Sequence, residues 1–287
     1  LALPTPGGGE IAGAGGEHNA PIIMGILNVT PDSFSDGGEF FEAGAAAARA
    51  AEMMDQGADI VDVGGESTRP GADSVSDEEE TRRVVPIIRE ILAASPGAVI
   101  SIDTYHAATA EAALEAGAGI VNDVTALNGD SRMAGVVAEA GCPVVLMHML
   151  GEPKTMQEGP HYEDVVSEVR ESLARRTEAA IEAGISPEAV ILDPGIGFGK
   201  TLEHNLALIE NLDAIVDLGF PVLFGASRKS FIGKLSGGET GERLFGTVAT
   251  SVLAYERGAN IFRVHDVRAN REALEVAAAV VNVGDDS

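Results

Sequence analysis

The sequence predicts a single-domain (β/α)8 TIM barrel, and three observations carry that prediction. Short apolar runs alternate with longer one-faced amphipathic segments through eight units, the pattern of strands that pair in parallel with helices between them. No linker-like stretch interrupts residues 21–287. Each apolar run ends abruptly in polar or glycine-rich residues, as strands do on the face where such barrels carry their sites. An open doubly wound sheet is the alternative topology.

Residues 1–20, rich in Gly and Pro, read as a flexible lead-in. The first strand covers 22–27 and opens into NVTPDSFSDGG at 28–38, a loop of oxygen-bearing side chains and turn formers. Taken alone, that loop is equally well a solvated connection. A helix over 43–56 is ended by Gly57, and the second strand, 59–63, runs into GGESTRPG at 64–71. Ser76 and Glu79 have the spacing of a capping box for a helix reaching residue 94. The third strand, 98–102, ends at Asp103-Thr104, and a helix over 106–116 is closed by Gly117. The fourth, 119–121, ends at Asn122-Asp123. A helix over 131–140 leads to the fifth strand, 143–147, and to His148. After a long helix over 162–183, the sixth strand, 189–192, runs into DPGIGFGK at 193–200. Leu202, Leu206, Ile209, Leu212, Ile215 and Leu218 recur at steps of three and four, the mark of one continuous helix. The seventh strand, 221–224, ends in GASRKS. A helix over 242–257 precedes the eighth strand, 260–262, which ends in RVHD, and the last helix covers 267–281.

Composition narrows the function. A hydrophobic content of 45% with 4% aromatics gives an aliphatic core. The net charge of −26 disfavours nucleic acid and anionic membranes as partners, since both need a basic surface. Acidic residues scattered among apolar ones, with only four lysines, Lys154, Lys200, Lys229 and Lys234, suggest adaptation to high salt. Cys142 is the single cysteine, so no intrachain disulfide can form; a reducing, cytoplasmic setting is expected, with Cys142 packed in the core. No apolar run is long enough to span a membrane.

In a barrel, Asn28, Glu66 to Arg69, Asp103, Asn122, His148, Asp193, Lys229, Arg263 and His265 would all converge on one mouth. Singly, Asp103 or Asn122 could cap the next helix, and His148 could be a satisfied core residue. As a set they form a mixed polar constellation that capping does not require.

On these segments, the second of them taken as DVGGESTRPG at 62–71, together with SIDT at 101–104, NDV at 122–124, KTMQ at 154–157, SRKSFIG at 227–233 and RVHDV at 263–267, the chain resembles the dihydropteroate synthases of the pterin-binding enzyme family. The resemblance implies condensation of (7,8-dihydropterin-6-yl)methyl diphosphate with 4-aminobenzoate, with Mg2+ as cofactor and an SN1-like departure of diphosphate. By resemblance, Asp193, Asp103 and Asn122 hold the pterin, and Lys229 reaches both the pterin and the aminobenzoate. Arg263 and His265, alternating with Val264, suit a phosphate clamp on one side of a strand. Asn28 would share Mg2+ with the diphosphate. Phe34, Thr68, Pro70, Phe198, Lys229 and Ser230 belong to the aminobenzoate side, and Arg69 counts among the substrate-binding residues. The loops 30–38 and 64–74 are expected to close over the substrates. Homodimerisation is implied as well. Three other readings stay open: a folate-dependent methyltransferase, the same chemistry with a ribosylated aminobenzene phosphate as acceptor, and a non-catalytic pterin-binding subunit.

Overall fold

The computed structural model describes residues 2–4, 10–12, 20–29, 39–67, 75–151, 155–237 and 242–283. Within the N-terminal stretch, β1 (Ala2–Pro4) and β2 (Glu10–Ala12) pair antiparallel. The frame of the molecule is the set of eight parallel strands that follows: β3 (Ile22–Asn28), β4 (Ile60–Gly64), β5 (Ile100–Asp103), β6 (Ile120–Asp123), β7 (Val144–Met147), β8 (Val190–Asp193), β9 (Leu223–Phe224) and β10 (Ile261–Val264). Neighbours run β8-β7-β6-β5-β4-β3-β10-β9, and a parallel bridge between Leu192 and Val222 brings the two ends together. The sheet is thus a ring, as predicted, and not an open doubly wound sheet.

The helices outside the ring are α1 (Glu39–Asp55), α2 (Asp77–Ala94), α3 (Ala107–Glu115), α4 (Met133–Ala140), α5 (Val165–Glu182), α6 (Leu202–Glu210), α7 (Asp213–Val216), α8 (Ser230–Ser236), α9 (Leu244–Glu256) and α10 (Val267–Asn282). Strand alternation divides the apolar residues into two cores. Ile22, Met24, Ile60, Ile120, Val145, Ile191, Leu223 and Ile261 point inward and pack together as a plug inside the ring. Their strand neighbours, among them Ile23, Val61, Ile100, Val121, Val144, Val190, Phe224 and Phe262, face out against the helices. Each such side chain withdrawn from water stabilises the fold by about 1.5–3 kcal/mol. The runs read as near-continuously apolar because both faces of these strands are buried.

Three local expectations are corrected. The capping box at α2 is half formed: Ser76 Oγ accepts from the Glu79 N–H at 3.3 Å, but the Glu79 carboxylate is taken by Arg82 and Arg83 at 2.8 Å each. The helix expected across 202–218 is broken into α6 and α7. The Asn211 amide donates to the Ala207 carbonyl at 2.8 Å, and its backbone leaves helical geometry at φ −114°. The leucine spacing survives the break because Leu212 and Ile215 return to the same core, whereas Leu206 faces solvent. Third, α8 forms where the sequence offers no helix, beyond the polar end of the seventh strand. Gly233 makes it a poor helix former, and it is held by the burial of Phe231 and Ile232. No helix among the described residues is long and apolar enough to cross a membrane.

Candidate active site

The inward parity that builds the plug also builds the site. Two residues beyond Ile60, Ile120, Ile191 and Ile261 stand Asp62, Asn122, Asp193 and Arg263, all above the apolar layer. Two residues further along β10 is His265, and the same side of β3 and β5 ends in Asn28 and Asp103.

Arg263 is the hub of this polar layer. Its Nε donates to Asp62 Oδ2 and its Nη2 to Asp103 Oδ2, both at 2.6 Å. Asn122 Nδ2 donates to the same Asp62 oxygen at 3.1 Å. The other oxygens, Asp62 Oδ1 and Asp103 Oδ1, are buried without a hydrogen-bond partner among the described residues. Burial raises the Asp103 pKa to about 7, opposed chiefly by Arg263. Burial also works against the Arg263 charge, but the flanking carboxylates more than compensate and hold its pKa above the ordinary arginine value. With a guanidinium at 2.6 Å the pair is an ion pair, so the direction that decides the chemistry is the one seen at Arg263: a fixed cation.

On the opposite wall, Asp193 Oδ1 accepts from the Gly195 N–H at 2.7 Å, and burial raises the Asp193 pKa. Gly195 has φ +66°, and a Cβ there would lie 1.8 Å from the His148 carbonyl oxygen, so only glycine makes this turn. Lys229 donates to the Ile196 carbonyl and lies 4.4 Å from the Phe198 ring centroid, a cation–π contact. Burial lowers its pKa to about 8, with Asp193 pulling the other way. Below it, Ser227 Oγ and His265 Nδ1 are 2.9 Å apart, and Arg228 forks onto Asp266 at 2.9 and 2.5 Å.

Of the residues read from sequence, Asp103, Asn122, Asp193, Lys229, Arg263, His265 and Phe198 therefore gather at one end of the ring, and Asn28 joins them from the end of β3. Ser230 begins α8 and is exposed. Phe34, Thr68, Arg69 and Pro70, with most of the two loops expected to close, lie outside the described residues. Neither Asp103 nor Asn122 caps a helix; both are committed to the Arg263–Asp62 network. Two expected members belong elsewhere. His148 is buried behind the site, where Lys200 Nζ meets its Nδ1 at 3.1 Å, and Glu66 accepts from the Tyr105 hydroxyl at 2.7 Å. Arg263 faces inward as the clamp reading requires, but two of its nitrogens are already held by carboxylates. Asp62, which opens the DVGGESTRPG motif, has no role in the sequence reading. Its signal was present: an acid within the apolar run IVDVG, in step with Ile60 and Gly64.

The comparisons with known proteins agree with this geometry. The family described as pterin binding enzyme matches residues 24–265. A dihydropteroate synthase from Neisseria meningitidis serogroup B is 49% identical over 266 residues, covering 91% of this chain and 93% of that protein. A solved structure of the Xanthomonas albilineans dihydropteroate synthase with 4-aminobenzoic acid is 47% identical, covers 91% of this chain and 93% of its own, and superposes with a TM-score of 0.85. Another from that organism, in complex with 7,8-dihydropteroate, is 44% identical over 91% of this chain and 94% of its own, with a TM-score of 0.81. The chain belongs to the pterin-binding enzyme family, among its dihydropteroate synthases.

Proposed function

We propose that the chain condenses (7,8-dihydropterin-6-yl)methyl diphosphate with 4-aminobenzoate to give 7,8-dihydropteroate and diphosphate, with the roles below. The observation that carries the assignment is the pair of orphaned carboxylate oxygens, Asp62 Oδ1 and Asp103 Oδ1, in the same inward layer as Asp193. Buried acceptors are rarely left unpaired, and an N–H-rich heterocycle supplies the donors.

Asp193 and Asp103 accept from the pterin ring, while Asn122 is aimed through its bond to Asp62. Lys229 stands between the ring and the mouth, its stem passing over Gly197, where a Cβ would come within 2.8 Å. Its ammonium group serves the pterin carbonyl oxygen and the aminobenzoate carboxylate, and Phe198 forms the aromatic wall. Ser230 and the undescribed Phe34, Thr68 and Pro70 complete the acceptor side, with Arg69 among the substrate-binding residues. In the reaction the bond between the pterin methylene and the diphosphate oxygen breaks. The arylamine nitrogen then bonds to that carbon and loses its proton, and the electron pair leaves with diphosphate. No protein nucleophile takes part. Arg263, kept charged by Asp62 and Asp103, and His265, oriented by Ser227, oppose the charge of the leaving group. An Mg2+ ion fits the donor chemistry at the end of β3, where Asn28 Oδ1 lies beside Gly64 as an oxygen donor. Asn28 would hold it; when bound with diphosphate, it neutralises developing negative charge. A homodimer and a cytoplasmic setting accompany this reading.

Diphosphate release with Mg2+, in parallel with 4-aminobenzoate and with a ribosylated aminobenzene phosphate, is the test. Turnover with 4-aminobenzoate that falls about 10²-fold or more in Asp193→Ala and Lys229→Ala is expected. Undiminished turnover in both variants overturns the roles, and turnover with the ribosylated compound alone overturns the acceptor.

A further inference from the structure

Behind the mouth, the segments that follow β4 and β5 meet the first turn of α2 in a cluster that the proposed reaction does not use. One oxygen of Glu66, one of Glu80 and a ring nitrogen of His106 all lie within 4.8 Å of one another. Glu66 and Glu80 are 8% and 1% exposed. Glu80 Oε2 and His106 Nδ1 are 3.0 Å apart, close to the separation of neighbouring ligands around an ion bound at about 2.0–2.2 Å.

Each member is held in place by a neighbour. Thr104 Oγ1 donates to Glu80 Oε2 at 2.6 Å, and Tyr105 donates to Glu66 Oε1 at 2.7 Å. His106 occupies the N-cap position of α3 but makes no side-chain cap bond, so its ring is oriented by Glu80 instead. The remaining Glu66 oxygen, Oε2, is buried with no hydrogen-bond partner among the described residues. Neither glutamate is paired with a lysine or arginine among the described residues; the nearby Arg83 is spent on Glu79 and on the Gly65 carbonyl. Two buried carboxylates therefore lie together, one bonded to the imidazole and the other with an acceptor to spare.

We propose that Glu66, Glu80 and His106 form a binding site for a divalent transition-metal ion of the zinc class. The imidazole nitrogen selects against Mg2+ and Ca2+, which take oxygen ligands, and the mixed His-carboxylate set suits Zn2+. The orphaned Glu66 oxygen then gains its partner. The ion joins the two strand-end segments to α2, with ligands other than the Asn28 proposed for Mg2+. The proposal does not depend on the proposed reaction.

Equilibrium dialysis against micromolar Zn2+, with millimolar Mg2+ present, measures the site directly. The expected result is one tightly held zinc per chain above background, with affinity reduced at least about tenfold in Glu66→Gln, His106→Gln and His106→Lys. His106→Lys keeps a cation against Glu80, so the fold is supported while the imidazole is lost; far-UV circular dichroism verifies folding of all three. Bound Co2+ should give visible absorption in the wild-type chain that these variants lack. No zinc uptake by the wild-type chain, or uptake that survives any of the three substitutions, overturns the proposal.

Discussion

Asp62 sits between Arg263 and Asn122 with one oxygen left over, so replacing it with asparagine keeps the shape and removes the charge. Arg263 would keep Asp103 alone as its counter-ion, and Asn122 would lose its charged acceptor. We expect Asp62→Asn to cost about 1–3 kcal/mol in urea unfolding and to raise KM for the pterin diphosphate about tenfold. A wild-type KM would show that the Arg263 network is indifferent to Asp62. His148 makes a different point. Burial, followed by the charge of Lys200, lowers its pKa to about 3. The folded chain thus refuses a proton that the unfolded chain accepts below about pH 6.5. The stability this represents is complete above that pH and is lost as pH falls toward 3, at about 1.4 kcal/mol per pH unit. Urea midpoints between pH 6 and 4 should fall less steeply for His148→Gln than for the wild-type chain.

The turn after β8 is where the elements are least forgiving. Gly195 combines left-handed backbone geometry with the approach of the His148 carbonyl, and its N–H orients Asp193. Gly195→Ala is expected to cost more than about 1 kcal/mol in thermal or urea unfolding and to abolish turnover, because the turn and Asp193 must move together. Strand ends such as Asp103, Asn122 and Asp193 were legible in the sequence because they break apolar runs, and the runs are long enough to fix the inward parity. What these residues bind to was not legible. Arg263 reaches Asp62 across 201 positions and Asp103 across 160, distances at which local pattern carries no information. The role of Asp62 was not legible for the same reason, since the apolar residues on either side conceal a carboxylate whose partner is at the far end of the chain. The break between α6 and α7 was hidden because two helices presenting one core face preserve a single spacing.

At the scale of the molecule, charge and core pull in opposite directions. Forty-five acidic side chains against nineteen basic ones leave a net −26 on a ring stabilised by aliphatic contacts. Raising KCl from 0.1 to 1 M shortens the screening length from about 10 Å to about 3 Å, which should lift the thermal midpoint by several degrees. A flat response would remove the case for adaptation to high salt. The plug of Ile22, Met24, Ile60, Ile120, Val145, Ile191, Leu223 and Ile261 has a further consequence, one of traffic. It makes the ring a blind well, so molecules on their way to its polar floor pass one another at the rim or not at all. Whatever lies beside Asp62, Asp103 and Asp193 has one way in and the same way out. A guest bound for that floor must arrive before the rim is occupied, and one that settles at the rim early obstructs it.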